Sequence, residues 1–392
     1  LSWVGLAYGF KWVWSPLVDR LPLPLLARWM GRRRSWLLVS QLAIMVALAG
    51  MALADPRADL SLVVWCALAV AFASATQDIA LDAFRIESAD AAHQGALAAT
   101  YQTGYRLAMI WAGAGVLWIA ARAETAPAVV AAAAPGALYQ NAAWQTAYLV
   151  MAASMLVGVV TVLFSREPAQ VVLPPSRNAA EWFRGAFVEP FSDFLKRYGK
   201  HAVLILALIG VYRISDVVMG IMANPFYVDM GYSKDEVAAV TKIYGVIMTL
   251  VGAFVGGALS LRLGVMRVLM LGAILSAASN LLFAWLAGHG HDVTALMAVV
   301  SADNLSAGVA SAAFIAYLSS LTNVSYSATQ YALFSSMMLL APKWLAGYSG
   351  AFVDAYDYPT FFTATALLGV PVLLLIWLAT RVSPASASPA KP

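Results

Sequence analysis

Asp78 and Asp82 stand four residues apart inside an apolar run that begins near Leu60. That spacing puts both carboxylates on one helix face, and Arg85, three residues further on, shares it. Each acid in a membrane-length helix costs roughly 2.5–3.5 kcal/mol on insertion scales, so neither faces lipid. They look inward, at water or at partner charges. A carboxylate whose access to water changes can take up and release a proton, and a cation beside it opposes that uptake. Asp78 is the deeper of the two and the preferred proton carrier. Asp82, close to Arg85 and Glu87, can equally brace the cytoplasmic end of its helix.

Further ionisable residues fall well inside apolar stretches: Lys11, Arg106, Arg213, Asp216, Lys242, Asp303 and Lys343. Internal salt bridging is the plain reading, and Arg213 with Asp216, three apart, is the obvious local pair. The functional reading is a polar cavity with a small cationic excess, suited to a ligand that bears carboxylates. Arginine recognises a carboxylate through two parallel bonds, whereas lysine supplies a point charge. Arg106 and Arg213, midway along their helices, are the first candidates. Lys343 follows, next to Pro342, whose missing donor can bend the helix. Lys11, Lys242 and Asp216 complete the charged set. Tyr101, Gln102, Gln77 and Asn304 add polar groups at membrane depth. Asp303 is the next proton-coupling candidate after Asp78 and Asp82.

Other chemistry is disfavoured. The histidines lie at helix ends or in loops, and His289 with His291 makes two ligands without a third, so no metal site is expected. The single cysteine, Cys66, excludes an internal disulfide. No glycine-rich loop ending in Lys-Ser/Thr is present, so neither ATP nor any other cofactor is expected to drive the protein. No arrangement of catalytic residues appears, and an enzyme is not expected.

The elements that position these residues are membrane helices. Of the 392 residues 62% are hydrophobic and 11% charged, against about a quarter charged in soluble chains. Run length and breakers predict eleven helices, at 1–18, 35–54, 60–85, 95–121, 141–165, 201–229, 235–261, 265–288, 293–321, 327–353 and 358–381. The expected organisation is an N-terminal membrane half at 1–165, a cytoplasmic linker at 166–200, a C-terminal membrane half at 201–383 and a disordered tail at 384–392. Within the linker, Glu181–Lys200 alternates charges with aromatics, as an amphipathic helix on a membrane surface does. Basic residues cluster at Arg20–Arg34, in the linker, at Arg262 and Arg267, and at the C-terminus. The positive-inside rule makes those segments cytoplasmic, the C-terminus included.

The loop Ser15-Pro-Leu-Val-Asp19-Arg20 with Gly31-Arg32-Arg33 has a weaker echo at Gly257–Arg267, and later spans repeat at an offset of about 233 residues. The pattern resembles the loop motif of the major facilitator superfamily, with Ser15 in place of its first glycine and extra residues inside it. Lys11–Arg20, Gly-Arg-Arg-Arg-Ser-Trp-Leu-Leu, Gln-Asp-Ile-x-x-Asp-Ala-x-Arg, Phe-x-Ala-Tyr-Leu-Ser-Ser-Leu-Thr-Asn and Ser327–Leu333 together resemble AmpG-type muropeptide permeases. The resemblance implies an all-α membrane protein of two six-helix halves. It implies proton-driven import of anhydromuropeptides (GlcNAc-anhydroMurNAc with or without peptide) across the bacterial inner membrane for cell-wall recycling, and indirectly β-lactamase induction. It further implies that Asp19, Arg20, Gly31, Arg32 and Arg33 form a cytoplasmic conformational gate. The expected partners are the muropeptide, protons and membrane lipids, with no nucleic acid, in a monomer. The alternatives are a carrier of another anion, such as an acyl-CoA or sugar phosphate, and a receptor or scaffold without flux. Under the repeat, the second half has six helices and the first five, so one helix is expected before Leu1.

Overall fold

The computed structural model describes residues 7–57, 59–90, 93–123, 141–169 and 178–381. Residues 124–140 and the tail expected at 384–392 lie outside them. Nine helices among the described residues are long and apolar enough to cross a membrane. Two further expected spans also fall on helix without reaching that length and hydropathy, around Ser15–Arg20 and at Ser327–Ala346.

The helix boundaries follow from local chemistry. Asp59 starts Leu60–Glu87 by accepting the N–H of Leu62 at 3.1 Å. Bonds from Ser61 and Leu62 hold its carboxyl below the usual aspartate range. Asp292 likewise caps Val293–Leu321, accepting the N–H groups of Thr294 and Ala295, and Asp357 caps Tyr358–Leu367, accepting that of Thr360. Several stretches expected as continuous are broken, two of them by two-residue turns. The first, over 201–229, turns at Tyr212–Arg213 between Ala202–Val211 and Ile214–Asp229. The second, over 327–353, turns at Gly347–Tyr348, a turn and a half after the internal Pro342.

The repeat seen in the loops has a backbone counterpart. Gly31 and Gly264 each precede a helix, with φ +86° and +82°, a conformation that side chains rarely adopt. Their separation, 264 − 31 = 233, is the offset between the repeated spans.

The chain divides into two compact units. One contains residues 1–88, 105–173 and Ser327–Ala332; the other contains 89–104, 174–326 and 333–392. Each unit therefore includes a short segment from the opposite half of the sequence. The core of the first packs Val18, Leu37, Leu38, Ile79 and Val162 with Ala328 and Ala332. The second is built on Phe226, Phe283, Leu286, Leu296 and Phe362. Its helices Gly245–Leu263 and Val293–Leu321 touch backbone to backbone: a Cβ on Gly308 would stand 2.2 Å from the carbonyl oxygen of Thr249. Without a hydrophobic effect between helices in lipid, such small-residue contact is what dispersion needs.

Candidate functional site

Three polar clusters lie inside these units. The first is built on Leu60–Glu87 and the short turn Lys11–Val13 in the first unit. Trp14 donates its indole N–H to the Thr76 hydroxyl at 3.1 Å, and the hydroxyls of Tyr8 and Ser74 lie 2.6 Å apart. These bonds hold Lys11 against the acidic face. The Lys11 ammonium pairs with Asp78 and lies 4.0 Å from Asp82. Asp82 lies 3.5 Å from Arg85, whose guanidinium stacks 5.2 Å from the centre of the Tyr331 ring. Two acids and two bases leave the cluster formally neutral. They are not equally placed: the Asp78 side chain is 25% exposed and that of Asp82 only 5%. Asp78 is thus the more accessible acid of the two, with the Lys11 ammonium paired to it. Gln77, beside it, has a buried side-chain oxygen that finds no hydrogen-bond partner among the described residues.

The second cluster centres on Arg33 of Arg32–Leu53, also in the first unit. Its buried guanidinium donates to Asp19 at 2.7 Å, to Glu87 at 2.5–3.1 Å, to the Val18 carbonyl at 2.9 Å and to the Ser327 hydroxyl at 2.8 Å. Asp19 accepts the backbone N–H of Ala328 at 3.1 Å and of Thr329 at 2.7 Å, and the Thr329 hydroxyl at 2.5 Å. The helix Ser327–Ala346 has no capping side chain of its own, so Asp19 supplies its cap. Arg32 donates to the carbonyl of Asp19. Glu167 in turn caps Arg32–Leu53, accepting the N–H groups of Arg33 and Arg34 at 2.7 and 3.0 Å. A Cβ on Gly31 would stand 2.3 Å from the Glu167 side chain, which would have to shift out of its capping position, and φ +86° independently favours glycine. Arg20 is half-buried.

The third cluster belongs to the second unit. Arg213 pairs with Asp216 at the helix turn. The Ser279 hydroxyl donates to Asp303 at 3.1 Å, and the Thr249 hydroxyl to the side-chain oxygen of Asn304 at 2.9 Å. Buried Asn280 pins three helices, donating to Ser215 at 2.9 Å and to Thr365 at 3.2 Å.

The remaining expected residues are more scattered. Arg106, Tyr101 and Gln102 are half-buried on Gln94–Ile110, and the unit boundary falls between Gly104 and Tyr105. Lys343 is exposed. Lys242 lies in Ala238–Tyr244, and its side chain is outside what is described. No group of three or more metal-ligating side chains occurs among the described residues.

Glu167, Ser327, Thr329, Tyr331, Ser279 and Asn280 are not among the expected site residues, and Glu87, expected only as a near neighbour of Asp82, pairs with Arg33. One signal was present. Ser-Ala-Thr-Gln at 327–330 opens a helix, where unpaired N–H groups invite a remote carboxylate.

The arrangement offers charge pairs that can break and reform. Among the described residues this arrangement sets no nucleophile against a base. The profile described as Major Facilitator Superfamily matches residues 204–392. The anhydromuropeptide permease of Escherichia coli K12 is 34% identical over 376 residues, covering 96% of this chain and 71% of that protein. AmpG 4 of Rickettsia conorii is 33% identical over 379 residues, covering 96% and 87%. Among solved structures, the E. coli fucose:proton symporter FucP superposes with a TM-score of 0.70 at 15% identity, covering 96% of this chain and 90% of that one. That last likeness concerns the fold alone. The chain belongs to the AmpG-type permeases of the major facilitator superfamily, multi-pass membrane transporters rather than enzymes.

Proposed function

We propose that this transporter imports anhydromuropeptides, GlcNAc-anhydroMurNAc with or without peptide, from periplasm to cytoplasm, and that proton binding at Asp78 drives the cycle. The ligand class rests on the E. coli relative's name and on its identity over nearly the whole chain. The observation that carries the coupling is the asymmetry of the two acids around Lys11: an open Asp78 and a closed Asp82 sharing one ammonium. Protonating Asp78 removes its charge and frees Lys11 toward Asp82. Deprotonation restores the pair. A ligand that arrives with a proton therefore meets a different charge pattern from one that arrives without it.

Asp303, held by Ser279, is a second coupling group in this reading. Arg106 and Arg213 receive the carboxylates of the peptide. Arg213 already holds Asp216, and its guanidinium has donors enough to receive a ligand carboxylate beside that internal one. Lys11, Lys242, Lys343, Asp216, Tyr101, Gln102, Gln77 and Asn304 complete the proposed ligand environment. The Asp19–Arg33 network is the gate, which must open and close in every cycle. The protein acts as a monomer in the bacterial inner membrane with its C-terminus in the cytoplasm.

Ligand competition tests the substrate class. Proteoliposomes should take up labelled anhydromuropeptide, and excess unlabelled GlcNAc-anhydroMurNAc should suppress that uptake. A sugar phosphate or an acyl-CoA should not. Suppression by either of the latter two, with none by the disaccharide, would overturn the assignment.

A further inference from the structure

One helix bears a face that the transport reading does not use. Ala179–Phe183, Arg184–Val188 and Glu189–Tyr198 run consecutively from an Asn178 cap, and the turn Gly199–His201 leads straight into the apolar Ala202–Val211. Its surface sorts into rows at four-residue spacing. Ala186, Pro190 and Phe194 are buried, with Phe194 packed 5.2 Å from Phe334. Glu189, Asp193 and Arg197 grip the loop before Ser327. The Tyr326 hydroxyl donates to Glu189 at 3.2 Å, the Asn323 amide donates to Asp193 at 3.1 Å, and Arg197 donates to the Leu321 carbonyl at 3.1 Å.

The third row is Phe183, Phe187, Phe191 and Leu195, flanked by Val188. Phe183, Val188 and Leu195 are each at least half exposed. Phe187, Val188, Phe191, Leu195 and Lys196 line a shallow groove of about 540 Å³. Arg184 and Lys196 are exposed on the neighbouring row, twelve residues and so about 18 Å apart along the helix. That row carries no acid, because Glu189 and Asp193 are turned to the 321–326 loop.

We propose that this face binds anionic phospholipid, with an acyl chain against Phe187, Val188, Phe191 and Leu195 and the negative headgroup attracted by the cations Arg184 and Lys196 at the two ends of the strip. The apolar strip matches a hydrocarbon chain, and the two cations match a negative headgroup. Continuity with Ala202–Val211 keeps the groove within a short turn of a membrane span. Bound lipid fixes the helix and thereby its grip on the 321–326 loop. That loop runs without interruption into Ser327, whose helix Asp19 caps.

Native mass spectrometry of the purified full chain tests this, with phosphatidylglycerol and phosphatidylcholine as probes. The protein should retain phosphatidylglycerol in preference. The double variant R184Q/K196Q should bind it about 25-fold more weakly, at roughly fivefold per cation, with phosphatidylcholine unchanged. The charge-keeping R184K/K196R should behave as the parent does. Equal retention of both lipids, or a preference that survives R184Q/K196Q, would overturn the proposal. A second readout does not depend on those variants. Cys66 is the sole cysteine, so a nitroxide at Leu195→Cys in a Cys66→Ser background marks the groove. In phosphatidylglycerol nanodiscs it should be relaxed by oxygen and shielded from a water-soluble nickel chelate. Relaxation by the chelate would contradict lipid occupancy. Spin–spin broadening between chains at that site would assign the face to a second copy and also overturn the proposal.

Discussion

The Asp19 carboxylate accepts both the backbone N–H and the hydroxyl of Thr329, at 2.7 and 2.5 Å, across 310 residues of sequence. A helix start that lacks its own cap is completed by an acid from the first loop. The same acid neutralises Arg33, so one residue serves the helix terminus and the buried cation together.

Arg33 carries the largest energetic stake in that network. It is buried among Asp19, Glu87 and Ser327, and removing it leaves two carboxylates without their cation. Arg33→Ala should destabilise the protein by about 3–5 kcal/mol. Arg33→Lys should recover little, because an ammonium cannot span the Asp19, Glu87 and Ser327 acceptors as the guanidinium fork does. Thermal melting of the detergent-purified variants checks both. A lysine variant that melts with the parent would show that charge alone suffices.

Gly31 makes a separate claim about space. Gly31→Ala must place a methyl where the Glu167 side chain lies and must hold φ +86°. The loss should exceed about 1 kcal/mol. Glu167→Ala in the same background should not relieve it fully, since the backbone strain persists. Complete recovery would mean that the clash alone sets the cost.

The loop at Ser233 gives a pH prediction. Glu236 accepts the N–H and hydroxyl of Ser233, both at 2.8 Å, and lies 3.1 Å from His291. The Ser233 bonds hold its carboxyl below the usual glutamate range, with His291 assisting. A depressed folded value means that these bonds stabilise the loop fully above the ordinary glutamate range. Their contribution is lost as pH falls through the folded value. Amide exchange at Ser233, corrected for intrinsic rate, should lose protection as pH falls through and below the ordinary glutamate range. In Glu236→Gln the protection should be weaker and flat with pH. A pH-dependent loss that persists in the glutamine variant would point to another group.

Arg106 and Arg213 separate ligand recognition from bundle packing. Replacing either with alanine should weaken peptide-bearing muropeptide by roughly ten- to a hundredfold and the peptide-free disaccharide much less. Competition uptake measures the two affinities side by side. Equal losses for both ligands would make these arginines structural.

What the sequence made legible was local. Asp78, Asp82 and Arg85 share a face because a helix repeats every three to four residues, and that needs no tertiary knowledge. The Arg213–Asp216 pair follows from the same rule. The Gly31 loop and its echo were visible as repeated residues, and their shared positive φ explains why glycine recurs. The long-range partners were not legible. Nothing near Arg33 in sequence names Glu87 or Ser327 as its acceptors, and nothing near Asp19 names Thr329. Such contacts depend on how helices cross, which local periodicity does not encode. The turn at Tyr212–Arg213 was hidden for a related reason. Apolar runs read as continuous until a polar network such as Asn280–Ser215–Thr365 fixes the helix on one side of the break.

The central claim is that Asp78 carries the driving proton. Gradient-driven uptake of labelled anhydromuropeptide into proteoliposomes, compared between the parent chain and Asp78→Asn, tests it most directly. Under an inward proton gradient the parent should accumulate ligand above equilibrium. Asp78→Asn, though folded and able to bind the ligand, should bring the internal level only to equilibrium. Undiminished accumulation by Asp78→Asn would contradict the account.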